Sequence, residues 1–437
     1  MKRLARGEPG YEEARRAGIW QSYKPERYPA LILRPESAAD VQQAVREAIR
    51  LDLPIAVKGA GHNYTSTYLR EGGMQLDLSG LADIAIEGET ARVGPGVRSG
   101  ELSAALGAVG RTFPTGHHSS VAMGGYLLGG GMGWNGENRG QFACFHVEAL
   151  DVVMADGEAA TISADCHPDL FWAARGAGPL FCAAVTRFHL RSLPLPSAVQ
   201  GVRLAYPLEA AGLLSGWLEA KGRQGWPDVE LILMYMTPLG APAPCCVALL
   251  IYHGSDAEGG AAALGEILAD APAGGEGASV PFPLTYPALY AESLTGEARR
   301  TGADTIWTDQ GAEASRILAL AMSGAPSPGT VGIVNFRRPA ALPADAACSM
   351  AGEAFLQWIG QWTDPAADAE NFAWVAGVAD LLEPVTKGCY VNETDIVRRP
   401  ERLARCFSES AWRRLGEVRG KYDPEGRFPA PVPDGRP

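Results

Sequence analysis

The stretch KGAGHN, Lys58 to Asn63, and the run PTGHHSSVAMGGYLLGGGMG, 114–133, decide how this chain is read. The first follows directly on a short apolar strand at 54–57 and sets Gly59, Ala60 and Gly61 ahead of His62 and Asn63. Between the two lies Gly94-Pro95-Gly96, after another short strand. Where no Cβ stands in the way, backbone N–H groups approach a phosphate closely. One such loop would read as a tight turn. Several dense ones in succession point to a phosphate-bearing ligand.

Two common glycine signatures do not apply. Gly131, Gly133 and Gly136 spell GxGxxG, but not between a strand and a helix of a βαβ unit, and no acidic residue is placed to meet a ribose. No glycine loop runs into Gly-Lys-Ser/Thr, which excludes a P-loop.

Working outward, the first stretch, 1–196, alternates short strands and helices. Ser37 and Asp40 read as the cap and first turn of a helix whose apolar positions are Val41, Ala44, Val45, Ala48 and Ile49. Hairpins are expected across Gly88 and across Asp156-Gly157. A helix is expected over 99–109 and a strand over 181–190. The second stretch, 197–380, carries strands at 231–236, 246–252 and 330–336 and helices at 257–271 and 311–322, divided by Pro- and Gly-rich linkers. The third, 381–437, holds Tyr390-Val391-Asn392, a helix expected over 400–421 and a Pro-rich tail. The fold class is α+β, with an antiparallel sheet backed by helices in the second stretch.

Composition narrows the function. The chain has 437 residues, 46% of them hydrophobic and 20% charged, with a formal net charge of −12, and suits two globular domains. The negative charge argues against nucleic acid and against anionic membranes as partners. Apolar runs such as Cys245 to Tyr252 are too short to span a bilayer, and the N-terminal basic residues are not followed by a signal-peptide core. The eight cysteines form no CxxC pair, no metal site is expected, and a cytoplasmic location fits.

The glycine loops, together with LDLS (76–79), ARVGPGV (91–97), DVVMADG (151–157), DLFWAARGAG (169–178), VTRFHL (185–190), YVN (390–392) and KYDPEGRF (421–428), resemble the vanillyl-alcohol-oxidase type of FAD-binding (PCMH) proteins, in the berberine-bridge-enzyme-like branch. The resemblance implies a two-part FAD domain, 1–196 and 381–437, with 197–380 folded over the flavin as substrate domain. It implies flavin contacts from Gly59, Ala60, Gly61, His62, Asn63, Gly116, His117, Val121, Gly124, Gly125 and Asn392, and a covalent bond from His62 to the C8 methyl of the flavin. His118 stands where many relatives carry a second flavin-linked cysteine, so single attachment is expected; His118 is a polar neighbour of the ring or a catalytic base. Val121 stands where relatives border the oxygen pocket, and its small side chain favours an oxidase. Tyr390 is a candidate catalytic residue, although Glu393 follows Asn392 where many relatives have another tyrosine. The resemblance thus implies an FAD-dependent oxidoreductase that takes a hydride from an alcohol or amine carbon of a small molecule and passes electrons to O2. A dehydrogenase with another acceptor, and a non-redox flavin-bound cyclase, isomerase or scaffold, remain open. Tyr235, Tyr252, His253 and Asn335 lie on or beside the second stretch's strands, and any of them is a candidate to face substrate.

Overall fold

The computed structural model describes residues 1–134, 136, 142–291, 298–338 and 341–431; the end of the Pro-rich tail, 432–437, lies outside the described residues. Ser37 sits in extended backbone, and its hydroxyl accepts the Asp40 N–H to cap the helix Ala38–Leu51, an arrangement worth about 1 kcal/mol. Val41, Ala44, Val45 and Ala48 form the buried face of that helix. Gly88, at φ +62, turns Ile84–Glu87 into Thr90–Val93. The expected helix over 400–421 needs correcting. Two 3-10 turns, Pro400–Arg402 and Ala404–Cys406, come first, and Phe407 is extended. The Ser408 side chain then accepts from Ala411 N and starts a new helix, Glu409–Tyr422; a short polar side chain competing for backbone donors sets this boundary.

One core gathers two sheets. The first has the order Lys2–Ala5, Leu31–Arg34, Met74–Asp77, Ile55–Lys58, with the last three strands parallel. The second is antiparallel, in the order Ile84–Glu87, Thr90–Val93, Ala184–Arg191, Val147–Val153, Ala159–Ser163. Val391, Leu415, Val418 and Phe428 pack into this same core. The Arg427 carbonyl accepts the Ile55 N–H at 2.7 Å, so the C-terminal segment closes onto the strand that feeds the first glycine loop.

A seven-stranded antiparallel sheet forms the other half, in the order Glu276–Pro283, Ala198–Pro207, Cys245–Gly254, Val229–Met236, Val331–Phe336, Ala354–Trp362, Arg300–Thr308. The helices Ala211–Gln224, Ala257–Leu268, Gly311–Met322 and Asp368–Leu382 cover one face and share its core. Side chains alternate across a strand. Leu231, Leu233 and Tyr235 therefore point to those helices, and Ile232 and Met234 point to the opposite face. That face, covered in part by the short helix Tyr286–Ala291, looks toward the glycine loops.

Candidate active site

Between the loops and this sheet face lies a cavity of about 610 Å³, within the roughly 300–1,000 Å³ usual for small-molecule sites. Gly59, Ala60, Gly61, His62, Asn63, Gly116, His117, His118, Val121, Gly124, Gly125, Tyr390 and Asn392 all line it. Of the four candidates from the second stretch, Asn335 lines it. Tyr235 points the other way, its hydroxyl 2.6 Å from Ser315 Oγ under the helices. Tyr252 packs in the helix-covered core, and His253 is buried beside Tyr286 and Glu230.

The first loop is held by a close backbone approach. Gly61 has φ +78, and a Cβ there would lie 2.0 Å from the Gly18 carbonyl oxygen. Its own carbonyl accepts from Tyr68 Oη at 3.0 Å. This brings the His62 ring flat onto Trp20, with centroids 4.6 Å apart and planes 9° apart. His62 Nε2 is 2.6 Å from Ser120 Oγ, and Ser120 Oγ is 2.9 Å from His118 Nδ1. A hydroxyl donates once and accepts as well, so Ser120 links the two imidazoles. Burial, with help from His118 and Arg98, pushes the His62 pKa down to about 3. His62 is therefore a neutral imidazole at ordinary pH, the form that is nucleophilic.

The second loop is held by the YVN segment. The Tyr390 hydroxyl oxygen accepts from Gly131 N at 3.0 Å, Met132 N at 3.3 Å and Asn392 Nδ2 at 3.0 Å. Burial and the neighbouring Glu393 carboxylate push the Tyr390 pKa well above its usual value, which keeps the phenol protonated. Asn392 Nδ2 also donates to the Tyr126 carbonyl at 3.1 Å, and its Oδ1 fills the space where Gly129 would carry a Cβ. Asn63 Nδ2 reaches the Asn392 carbonyl at 3.4 Å, and its Oδ1 accepts from Thr65 Oγ1 and Thr67 N. Val121 is fixed through its backbone: its carbonyl accepts from Ser99 N at 2.8 Å, and its side chain lies against Gly116.

Sequence reasoning missed Trp20, Ser120, Tyr64 and Gln357. Ser120 lay inside a quoted motif without a role. Trp20 stands in a run with no periodicity, and only the folded chain brings it to His62.

The donor set fits a flavin. Glycine backbone lines the loops, and a Cβ on Gly125 would meet nothing within 4 Å. A neutral imidazole stands in the wall. A two-part FAD fold with an antiparallel substrate sheet defines an FAD-dependent oxidoreductase. Comparison with known proteins agrees. A family model described as an FAD binding domain matches residues 29–163. The FAD-linked oxidoreductase nodO of Hypoxylon pulicicidum is 29% identical over 434 residues, covering 96% of this chain and 94% of that one. The (R)-6-hydroxynicotine oxidase of Paenarthrobacter nicotinovorans is 29% identical over 442 residues, covering 94% of this chain and 92% of that one. The solved structure of Physcomitrella patens BBE-like 1 superposes with a TM-score of 0.84 at 20% identity, over 99% of this chain and 96% of that one. The chain is thus similar in sequence and fold to the vanillyl-alcohol-oxidase-type FAD-binding proteins of the berberine-bridge-enzyme-like branch, and its cofactor is FAD. Among the described residues no helix is long and apolar enough to cross a membrane, and no group of three or more His, Cys, Asp or Glu is placed to hold a metal ion.

Proposed function

We propose that this oxidoreductase is an oxidase, taking a hydride from an alcohol or amine carbon of a small molecule and passing two electrons to O2 to give hydrogen peroxide. The observation that carries this reading is Val121, a small side chain on the cavity wall whose backbone is pinned by Ser99. When bound, FAD supplies the hydride acceptor and the two-electron chemistry. Residues 1–196 and 381–437 hold it, and 197–380 form the roof over the substrate. Gly59, Ala60, Gly61, Asn63, Gly116, His117, Gly124, Gly125 and Asn392 contact it. His62 carries it covalently, and the attachment is single, because His118 stands where many relatives carry the second flavin-linked cysteine. His118 and Ser120 are positioning residues: they fix the ring of His62 and its tautomer. Tyr390 anchors the loop at Gly131 and Met132, and its raised pKa speaks against a role as base. A cytoplasmic location is part of the same reading, supported by eight cysteines that are all free thiols.

The test is reoxidation. Enzyme reduced with dithionite under argon and mixed with air-saturated buffer should reoxidise rapidly, with one peroxide per flavin. Slow reoxidation in air, alongside fast reoxidation by a quinone or dye, would make the protein a dehydrogenase instead.

A further inference from the structure

Residues 19–24 follow the helix Tyr11–Ala17 without a helix or strand of their own, yet they lie against both the His62 loop and the roof. Lys24 Nζ donates to the carbonyls of Ile19 and Gln21 and holds the segment bent. Trp20 packs on the loop. Its N–H reaches the Gly61 carbonyl at 3.4 Å, and its ring lies flat on His62, with Tyr64 edge-on at 5.8 Å and His118 tilted at 6.2 Å. Trp20 is buried, and its Nε1 has no hydrogen-bond partner among the described residues. What the side chain gives His62 is therefore a flat apolar face and not a donor.

The next two residues reach the roof. Gln21 Oε1 accepts from the N–H and the hydroxyl of Thr301, each at 2.6 Å, while Gln21 Nε2 donates to the Tyr64 carbonyl at 2.9 Å. The Ser22 N–H donates to the Arg299 carbonyl at 3.0 Å. Thr301 lies on Arg300–Thr308, an edge strand of the seven-stranded sheet. Three consecutive residues thus join His62 to the edge of the substrate half.

We propose that Trp20 is a positioning residue for the attachment of flavin to His62, and that Gln21 ties this positioning to the roof, so that attachment is fast only once the substrate half has docked. This rests on the covalent reading above and deepens it. In the attachment step a C–N bond forms between the imidazole and the C8 methyl carbon. One methyl C–H and the imidazole N–H break, and both protons go to solvent. The electron pair of the broken C–H stays on the flavin ring, which O2 reoxidises. A ring held in one plane loses little freedom on attack. His118 and Arg98 also face His62, and with burial they hold it neutral; the indole supplies part of that burial.

The experiment mixes apoprotein with FAD in air for wild type and four variants. Non-covalent binding is read from FAD fluorescence, and attachment from the colour kept by acid-precipitated protein over time. Trp20→Ala should slow attachment roughly tenfold or more, the scale set by misplacing a reacting group, with FAD affinity near that of wild type. Trp20→Phe keeps a flat face and should recover most of the rate. Trp20→Ala also admits water to His62 and raises its pKa toward the ordinary value of about 6.5. Its rate relative to wild type should therefore fall about five- to tenfold from pH 8 to pH 5.5, whereas the Trp20→Phe ratio stays constant. Gln21→Ala and Thr301→Val act from the roof side and should slow attachment severalfold at a constant ratio across pH. Melting temperatures confirm that each variant is folded. Attachment by Trp20→Ala at the wild-type rate, or by Trp20→Phe as slowly as Trp20→Ala, would overturn the role of Trp20. So would a loss of FAD affinity as large as the loss of rate. Wild-type rates in both Gln21→Ala and Thr301→Val would overturn the tie to the roof. Failure of the covalent reading itself is seen separately, as a colourless wild-type pellet, and takes this role of Trp20 with it.

Discussion

Replacing Ser120 by alanine isolates the link between the two histidines. The substitution removes both bonds of the bridge, 2.6 Å to His62 Nε2 and 2.9 Å to His118 Nδ1, and leaves the stacking of His62 on Trp20 in place. Leaving a buried polar group without its partner costs about 1–3 kcal/mol. At about 1.4 kcal/mol per factor of ten, full expression of that loss in the attachment step slows it about 5- to 150-fold. The assay incubates apoprotein with FAD, quenches portions in acid and measures the yellow colour that stays with the pellet. His62 has a pKa of about 3, so its protonation does not change between about pH 6 and pH 8, and the slowing should be the same at both ends of that range. A threonine at 120 retains the hydroxyl and should restore most of the rate. If Ser120→Ala attaches flavin as fast as wild type, with a colourless supernatant in both, the bridge does not position His62 and the reasoning fails.

Other outcomes follow from the same geometry. Acid-precipitated wild type should stay yellow while His62→Ala releases all of its FAD; a colourless wild-type pellet would end the covalent reading, and flavin on a cysteine peptide would end single attachment. Val121→Leu should slow reoxidation of the reduced flavin severalfold in stopped flow and leave reduction by substrate nearly unchanged, whereas equal reoxidation would put the oxygen gate elsewhere. Gly129→Ala sets a methyl 1.9 Å from Asn392 Oδ1 and forces Asn392 off Tyr126 and Tyr390; a loss of about 2–3 kcal/mol is expected, and an unchanged thermal melt would contradict it. His62 titrates lower in the folded than in the unfolded chain, so its contribution to stability is complete above about pH 6.5 and is lost as pH falls toward 3. Apo His62→Asn should therefore lose less stability than apo wild type on going to pH 4.5, by on the order of 1–2 kcal/mol, and parallel melting curves against pH would refute this.

What could be read from the sequence was whatever local chemistry decides. The Ser37 cap and the Gly88 turn act through neighbours within a few residues, and the glycine loops advertise backbone that must come close to something. Three roof strands were read, but Ala354–Trp362 and Arg300–Thr308 resisted reading, for two reasons. All nine residues of Ala354–Trp362 are buried, so no polar alternation marks the strand. Arg300–Thr308 looks too polar for an interior strand. Yet Thr301, Asp304, Thr305 and Thr308 are fully buried. Gln21 Oε1 takes both the N–H and the hydroxyl of Thr301, Thr394 meets Thr305, and Arg402 meets Asp304. Those partners lie far along the chain, where no window of sequence reveals them. Tyr390 illustrates the same limit. Its motif was plain, but only the structure shows its oxygen committed to the loop at Gly131 and Met132.

The closing of the first core by residues 389–430 has a consequence for how the protein is made. Chain emerges from the ribosome at about 5–20 residues per second, N-terminal end first. The strand Ile55–Lys58 therefore exists long before Arg427, which caps it, and before Asn392, which braces the second loop. The seven-stranded sheet and its helices, contiguous between Ala198 and Leu382, have all their parts well before the flavin half does. The order of birth is thus the reverse of the order of the chain: the roof matures first, the floor waits for the tail, and a chain stalled near residue 380 carries a finished substrate half with nowhere to keep a flavin. A ribosome-arrested series ending before and after residue 430, scored for bound flavin, would show that step as a sharp onset.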